Sequence, residues 1–323
     1  MNETNEQPTR TTGTPPPGGA ASEAAVSDRG PSVRTASGGA APDRAGRLRV
    51  AGATLYYEVR GQGPLLLLIP GGSGDAGIYD RMAARLADRW TVAAYDPRGY
   101  SRSVLDDGPA EQRVDVQSDD AYRLIDLLAP DGAPAAVFGT SSSGIVALDL
   151  LARHPERLSR VVAHEPPVVE LLPDPAVGRG LFAAVRESFR KHGVDAAMAT
   201  MTAGLMGEAA DRPAEDGRAR AVAAPSPREA EAFRRMRANL PVFLEQVLCS
   251  FSGCLPDLEG LGRAAEKLVI GVGRDSRDLL TAIPGARLAD RTGAGLVEFP
   301  GGHVGSVEEP DAFADRLREA LTV

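Results

Sequence analysis

The chain has 323 residues, 43% of them hydrophobic, and a formal net charge of −8. That is enough apolar material for one large packed domain or two modest ones, and it excludes a wholly disordered chain. Its Lys and Arg residues are scattered over an acidic background that repels phosphate backbones, so a nucleic-acid partner is not expected.

Residues 1–46 contain no Leu, Ile, Phe, Tyr or Trp and are rich in Pro, Gly, Ala, Ser and Thr. A segment that can bury so little cannot offset its ordering entropy, and a disordered tail is predicted there. From Arg47 the pattern changes. Leu48–Val50 and Thr54–Val59 predict two strands joined at Ala51-Gly52-Ala53. Leu65 to Ile69 is a continuous apolar run, as expected of a strand covered on both faces. Helical spacing follows over Ile78–Arg89, then a strand at Thr91–Tyr95, a helix over Val116–Leu128 and a strand at Ala135–Phe138. A helix over Ser142–Ala152 and a strand at Leu158–Ala163 complete the series.

Strand alternating with helix predicts a mostly parallel α/β sheet over 47–169. The alternation stops at Pro166-Pro167, and residues 170–262 predict helices broken by polar loops, the expected form of an inserted helical cap. It resumes over 263–323 with strands at Lys267–Val272 and Leu296–Phe299 and a last helix at Pro310–Leu321. No apolar run exceeds Leu65–Ile69 in length, far short of the ~20 residues of a membrane-spanning helix. With no basic start and apolar stretch at its N-terminus, the chain is expected to work in the cytoplasm. Cys249 and Cys254 predict two ordinary, partly buried thiols, because nothing nearby completes a metal site.

One turn carries the chemistry. Gly139-Thr140-Ser141-Ser142-Ser143-Gly144 joins an apolar strand to an apolar helix, the context that gives a Gly-x-Ser-x-Gly-like motif its meaning. Small residues are needed two positions before and after the nucleophile. Ser141 meets that rule with Gly139 and Ser143, whereas Ser142 would place Thr140, and Ser143 would place Ile145, at a crowded position. Ser143 stands where a glycine is usual, so Ser143→Gly is expected to be tolerated.

Of four histidines, His303 in Phe-Pro-Gly-Gly-His follows the last strand, at the sheet edge where ligands bind in open α/β sheets. It is the predicted base. The acid that holds its tautomer is expected after the strand ending at Val272, where Asp275 is preferred. Asp278 and Glu165, the latter ending the preceding strand, remain alternatives. Pro70-Gly71-Gly72 follows the first buried strand, and the N–H groups of Gly72 and Ser142 are the predicted oxyanion donors.

Together these segments resemble the α/β-hydrolase superfamily from Arg47 onward. Pro70-Gly71-Gly72 looks like its His-Gly oxyanion turn with Pro in place of His. Asp96-Pro97-Arg98-Gly99-Tyr100-Ser101-Arg102-Ser103 looks like its Asp-x-Arg-Gly-x-Gly-x-Ser loop, with Ser101 replacing a glycine. Ala152-Arg153-His154-Pro155-Glu156-Arg157 and Pro300-Gly301-Gly302-His303 match two more segments. The resemblance implies an eight-stranded sheet, no cofactor or metal, and acyl transfer from a small-molecule ester or thioester to water through Ser141, His303 and Asp275. Lyase or acyltransferase chemistry with the same triad, and a non-catalytic binding protein on the same fold, stand as alternatives.

Overall fold

The computed structural model describes residues 41–206, 225–277 and 279–322. The predicted tail is therefore outside it up to residue 40, as are Asp278 and most of the charged stretch after Arg212.

The chain opens with strands β1 (Arg44–Val50), β2 (Ala53–Arg60) and β3 (Leu65–Ile69). Helix α1 (Asp80–Leu86), entered through a 3₁₀ turn at Ala76–Tyr79, leads to β4 (Thr91–Tyr95) and the two-residue β5 (Val104–Leu105). Then come α2 (Val114–Leu128), β6 (Ala135–Thr140), α3 (Ser142–Arg153) and β7 (Leu158–His164). Helices α4 (Pro175–His192), α5 (Val194–Met206), α6 (Pro227–Val242), α7 (Leu248–Ser252) and α8 (Leu258–Arg263) precede β8 (Leu268–Gly273). The chain closes with α9 (Ala282–Thr292), β9 (Gly295–Phe299), α10 (Gly305–Glu308) and α11 (Pro310–Thr322).

The sheet order is β1-β2-β4-β3-β6-β7-β8-β9, with β5 paired beside β2. β1, β2 and β4 meet antiparallel, and every pairing from β4 through β3, β6, β7 and β8 to β9 is parallel. The period of two along a strand explains the unbroken apolar run of β3. Leu67 and Ile69 enter one core with α2, α3 and the later helices, while Leu66 and Leu68 enter the other with α1 and α11.

Two expected boundaries move. Arg44 already pairs with Val59, so ordered structure begins before residue 47. At the other end of the insertion, α8 packs with the helices of the sheet rather than above it. Leu261 is buried in the core that holds α3 and α9, and a Cβ on Gly260 would lie 3.4 Å from Ala152 of α3. Both cysteines are free thiols of intermediate exposure.

Candidate active site

The turn at Ser141, an elbow between β6 and α3, stands at the end of β6, the strand between β3 and β7. Ser141 has φ 54° and ψ −128°, a conformation costing a non-glycine residue about 1–3 kcal/mol. Hydrogen bonds on either side impose it: Ser141 N–H donates to His164 O at 2.9 Å, and Gly144 N–H returns to Ser141 O at 2.9 Å. Ser143, in the position usually held by glycine, is 3% exposed and fully engaged. Its hydroxyl accepts from Thr140 N–H at 2.9 Å and points its proton at Ile69 O, 2.6 Å away, and Thr140 O, 2.9 Å away. It braces the elbow against β3.

His303 reaches Ser141 from the loop after β9. Its Nε2 lies 3.1 Å from Ser141 Oγ, and its Nδ1 lies 2.8 Å from Glu165 Oε2. The turn that presents it uses Gly301 at φ 73°, where an added Cβ would sit 2.8 Å from Gly305 Cα.

The carboxylate on His303 is therefore Glu165 and not Asp275. Asp275 belongs to the right loop, since its N–H donates to Gly301 O at 3.0 Å, but its side chain turns outward onto Arg274 at 2.8 and 3.0 Å. That side chain is 56% exposed, against 0% for Glu165. Glu165, one residue beyond β7, is held by its N–H on Gly271 O at 2.9 Å and carries φ 43°. Its second oxygen accepts from Gly273 N–H at 2.8 Å and from the Ser276 hydroxyl. Burial alone would raise this carboxyl. The hydrogen bond and charge of His303, helped by His164 and Ser276, outweigh burial and bring it down to about 2. Asp278, the other alternative, lies outside the described residues.

The turn after β3 lies directly on the elbow. A Cβ on Gly71 would fall 2.1 Å from Thr140 O and 3.3 Å from Ser141 Cβ, so only glycine permits this approach. Gly72 N–H follows at φ 56° and donates to Ser142 Oγ at 3.0 Å. Both expected oxyanion residues thus stand beside Ser141. Above them opens a cavity of about 510 Å³, walled by Ser141, His303 and mostly apolar side chains, including Phe182, Met198, Met201, Phe233, Met236 and Leu240. The insertion supplies those six, which puts α4, α5 and α6 over the C-terminal edge of the sheet.

Reasoning from sequence missed how α6 is fixed there. Arg235 pairs with fully buried Asp75, and Arg228 pairs with buried Glu58 and Asp80. Asn239 donates to Ser73 O at 3.0 Å and to Ser101 Oγ at 2.9 Å, and its own oxygen accepts from Ser101 N–H at 2.9 Å. Ser101 Oγ in turn donates to Asp75 at 2.9 Å. Asp96, also fully buried, is held by Arg102. The Gly72 turn is thereby tied to the insertion one residue on, at Ser73. The available signal was four acidic residues, Glu58, Asp75, Asp80 and Asp96, set among apolar strands, turns and the start of α1, where a lone charge cannot stay.

A serine, a histidine and a carboxylate in hydrogen-bonded series, at the C-terminal edge of a mostly parallel sheet, define the class of site that hydrolases of this fold carry. Residues 66–316 match the model of the alpha/beta hydrolase family, and the chain belongs to that family. It is 33% identical over 282 residues to the uncharacterized hydrolase YraK of Bacillus subtilis (strain 168), covering 85% of this chain and 95% of that one. Among solved structures it resembles the enol-lactonase from Burkholderia xenovorans LB400, with TM-score 0.62 and 19% identity over 86% of this chain and all of that one. It also resembles a thermophilic esterase from Thermogutta terrifontis, with TM-score 0.64 and 18% identity over 85% and 98% of the two chains. The chain is a hydrolase by family. Among the described residues no helix is long and apolar enough to cross a membrane.

Proposed function

We propose that the protein is a serine hydrolase cleaving an ester, lactone or thioester of an apolar small molecule through Ser141, His303 and Glu165. The observation that carries this reading is the hydrogen-bonded series from Ser141 Oγ through His303 to buried Glu165, at the floor of an apolar cavity. Ser141 Oγ attacks the carbonyl carbon while His303 Nε2 takes its proton. Glu165 holds the Nδ1–H tautomer and stabilises the imidazolium. The carbonyl oxygen, now an alkoxide, lies on the N–H groups of Gly72 and Ser142. Collapse expels the alcohol or thiol, which receives the proton from His303. Water, deprotonated by His303, then releases the acid from Ser141.

The wall of the cavity selects the substrate. Three methionines and three phenylalanines among its lining favour an adaptable fit to apolar groups. Each methylene of acyl chain buried there adds about 0.8 kcal/mol, or roughly fourfold in kcat/KM, until the cavity is full. Two assays test the reading. A fluorophosphonate should add one label per chain at Ser141, and Ser141→Ala should lose roughly 10⁴–10⁶ in turnover. Across p-nitrophenyl esters from acetate to octanoate, kcat/KM should climb. A folded chain that takes no label would favour the non-catalytic alternative, and products other than acid and alcohol would favour transfer or lyase chemistry.

A further inference from the structure

The hydrolase reading above, on which this inference rests, gives no task to the side chain of Ser142, which lines the cavity next to the nucleophile. We infer that its hydroxyl is a third donor of the oxyanion hole. In the free enzyme it is parked on the Gly72 N–H, and it turns onto the substrate oxygen when the carbonyl arrives.

Two acceptors compete for one donor. Gly72 N–H is needed by the oxyanion, yet it already donates to Ser142 Oγ at 3.0 Å. An incoming carbonyl oxygen must displace Ser142 Oγ to use that N–H. The displaced hydroxyl stays at the site, because Ser142 lines the cavity beside Ser141 and His303. A change of χ1 between staggered wells moves it without moving the backbone. Toward the Gly72 N–H the hydroxyl acts as acceptor, which leaves its own proton to be donated elsewhere. An oxygen bound to the Gly72 and Ser142 N–H groups would take the place of Ser142 Oγ on Gly72 and lie next to this hydroxyl.

The energetics favour the transition state. A hydrogen bond to an alkoxide is roughly twice as strong as one to a neutral carbonyl oxygen. A donor that exchanges an N–H partner for an oxyanion therefore gains most as charge develops, and its effect appears in kcat rather than KM. The proton stays on Ser142 throughout, because the group donates a hydrogen bond and transfers nothing. The neighbouring serine could not serve, since Ser143 Oγ is committed to Thr140 and Ile69 on the far side of the elbow. The three consecutive serines thus have three separate tasks: attack, oxyanion donation and bracing.

The test is Ser142→Ala in the full chain, which removes the hydroxyl and keeps the backbone N–H. On a p-nitrophenyl ester that the wild type hydrolyses, kcat should fall about 10- to 100-fold with KM within about twofold, reaching at most the lower end of the ~10²–10³ loss of a main oxyanion donor. Ser142→Thr should recover part of that loss. A trifluoromethyl ketone, which adds to Ser141 as an oxyanion, should lose affinity by a similar factor, while the unfluorinated ketone should not. A general distortion of the site would weaken both ketones alike, and that result overturns the inference. So does a Ser142→Ala enzyme as fast as wild type or faster, which would make the hydroxyl a bystander or a competitor. A wild-type chain that takes no phosphonate and hydrolyses no ester removes the hydrolase reading and this inference with it. An active wild type with an equally active variant removes only the inference.

Discussion

Replacing Ser143 by glycine restores the residue usual at this place in the motif, and the motif alone predicts tolerance. The structure predicts damage. The hydroxyl of Ser143 accepts from the buried Thr140 N–H at 2.9 Å and donates to Ile69 O at 2.6 Å, closer than the 3.4 Å contact of Tyr79 with the same carbonyl. A buried polar group left unsatisfied costs about 1–3 kcal/mol. Removing Cβ from the first turn of α3 adds up to about 1 kcal/mol of backbone entropy. The sum is roughly 2–4 kcal/mol, a large share of the 5–15 kcal/mol by which domains are usually stable. In a domain of this size that corresponds to a fall in Tm of very roughly 5–10 °C. Thermal and urea unfolding followed by circular dichroism should show it, with Ser143→Ala intermediate because it keeps Cβ. A Ser143→Gly protein melting within about 2 °C of wild type would refute the bracing role.

Stability should also depend on acid through His164, the fully buried neighbour of Glu165. Burial pushes its imidazole down to about 4, so the unfolded chain takes up this proton near pH 6.5 while the folded chain refuses it. Stability is therefore full above pH 6.5 and falls as pH drops towards 4, by about 3 kcal/mol at 1.4 kcal/mol per pH unit. His164→Phe, which suits the surrounding Phe299 and Phe313, should flatten urea-derived stability across that window, and parallel pH profiles would contradict this. Arg235→Ala strips the cationic partner from fully buried Asp75, leaving its hydrogen bonds from Ser101 and Gly77, and should cost roughly 3 kcal/mol. Because Asp75 lies just after the Gly72 turn, kcat on small esters should fall as well, and a variant with wild-type Tm and kcat would show that α6 is held by other contacts.

Much of this arrangement was legible in the sequence because its signals are local. The apolar run of β3, the strand-turn-helix around Ser141 and the Pro-Gly-Gly-His loop each declare themselves within a few residues. The acid did not, because choosing it requires knowing where a side chain turns. Asp275 follows its strand at the expected distance and its backbone does support the histidine loop, but Arg274 next to it takes the carboxylate. Glu165 could be recognised as a charge closing an apolar strand, yet only the β7–β8 register, with His164 opposite Gly271, shows it beneath His303. Arg228, Arg235 and Asn239 look like the solvated face of a charged helix, since their partners lie more than 130 residues away. The two residues of β5 are too few to show any period.

The most direct test compares Glu165→Gln with Asp275→Asn in steady-state hydrolysis of one activated ester, with unfolding midpoints measured on both. Gln keeps the shape of Glu165 but cannot stabilise an imidazolium or enforce the Nδ1–H tautomer, so turnover should fall by up to ~10⁴. Asp275→Asn breaks only an exposed pair with Arg274 and should stay within a few-fold of wild type. If Asp275→Asn collapses turnover while Glu165→Gln, still folded, keeps it, the series from Ser141 through His303 to Glu165 is not the catalytic one.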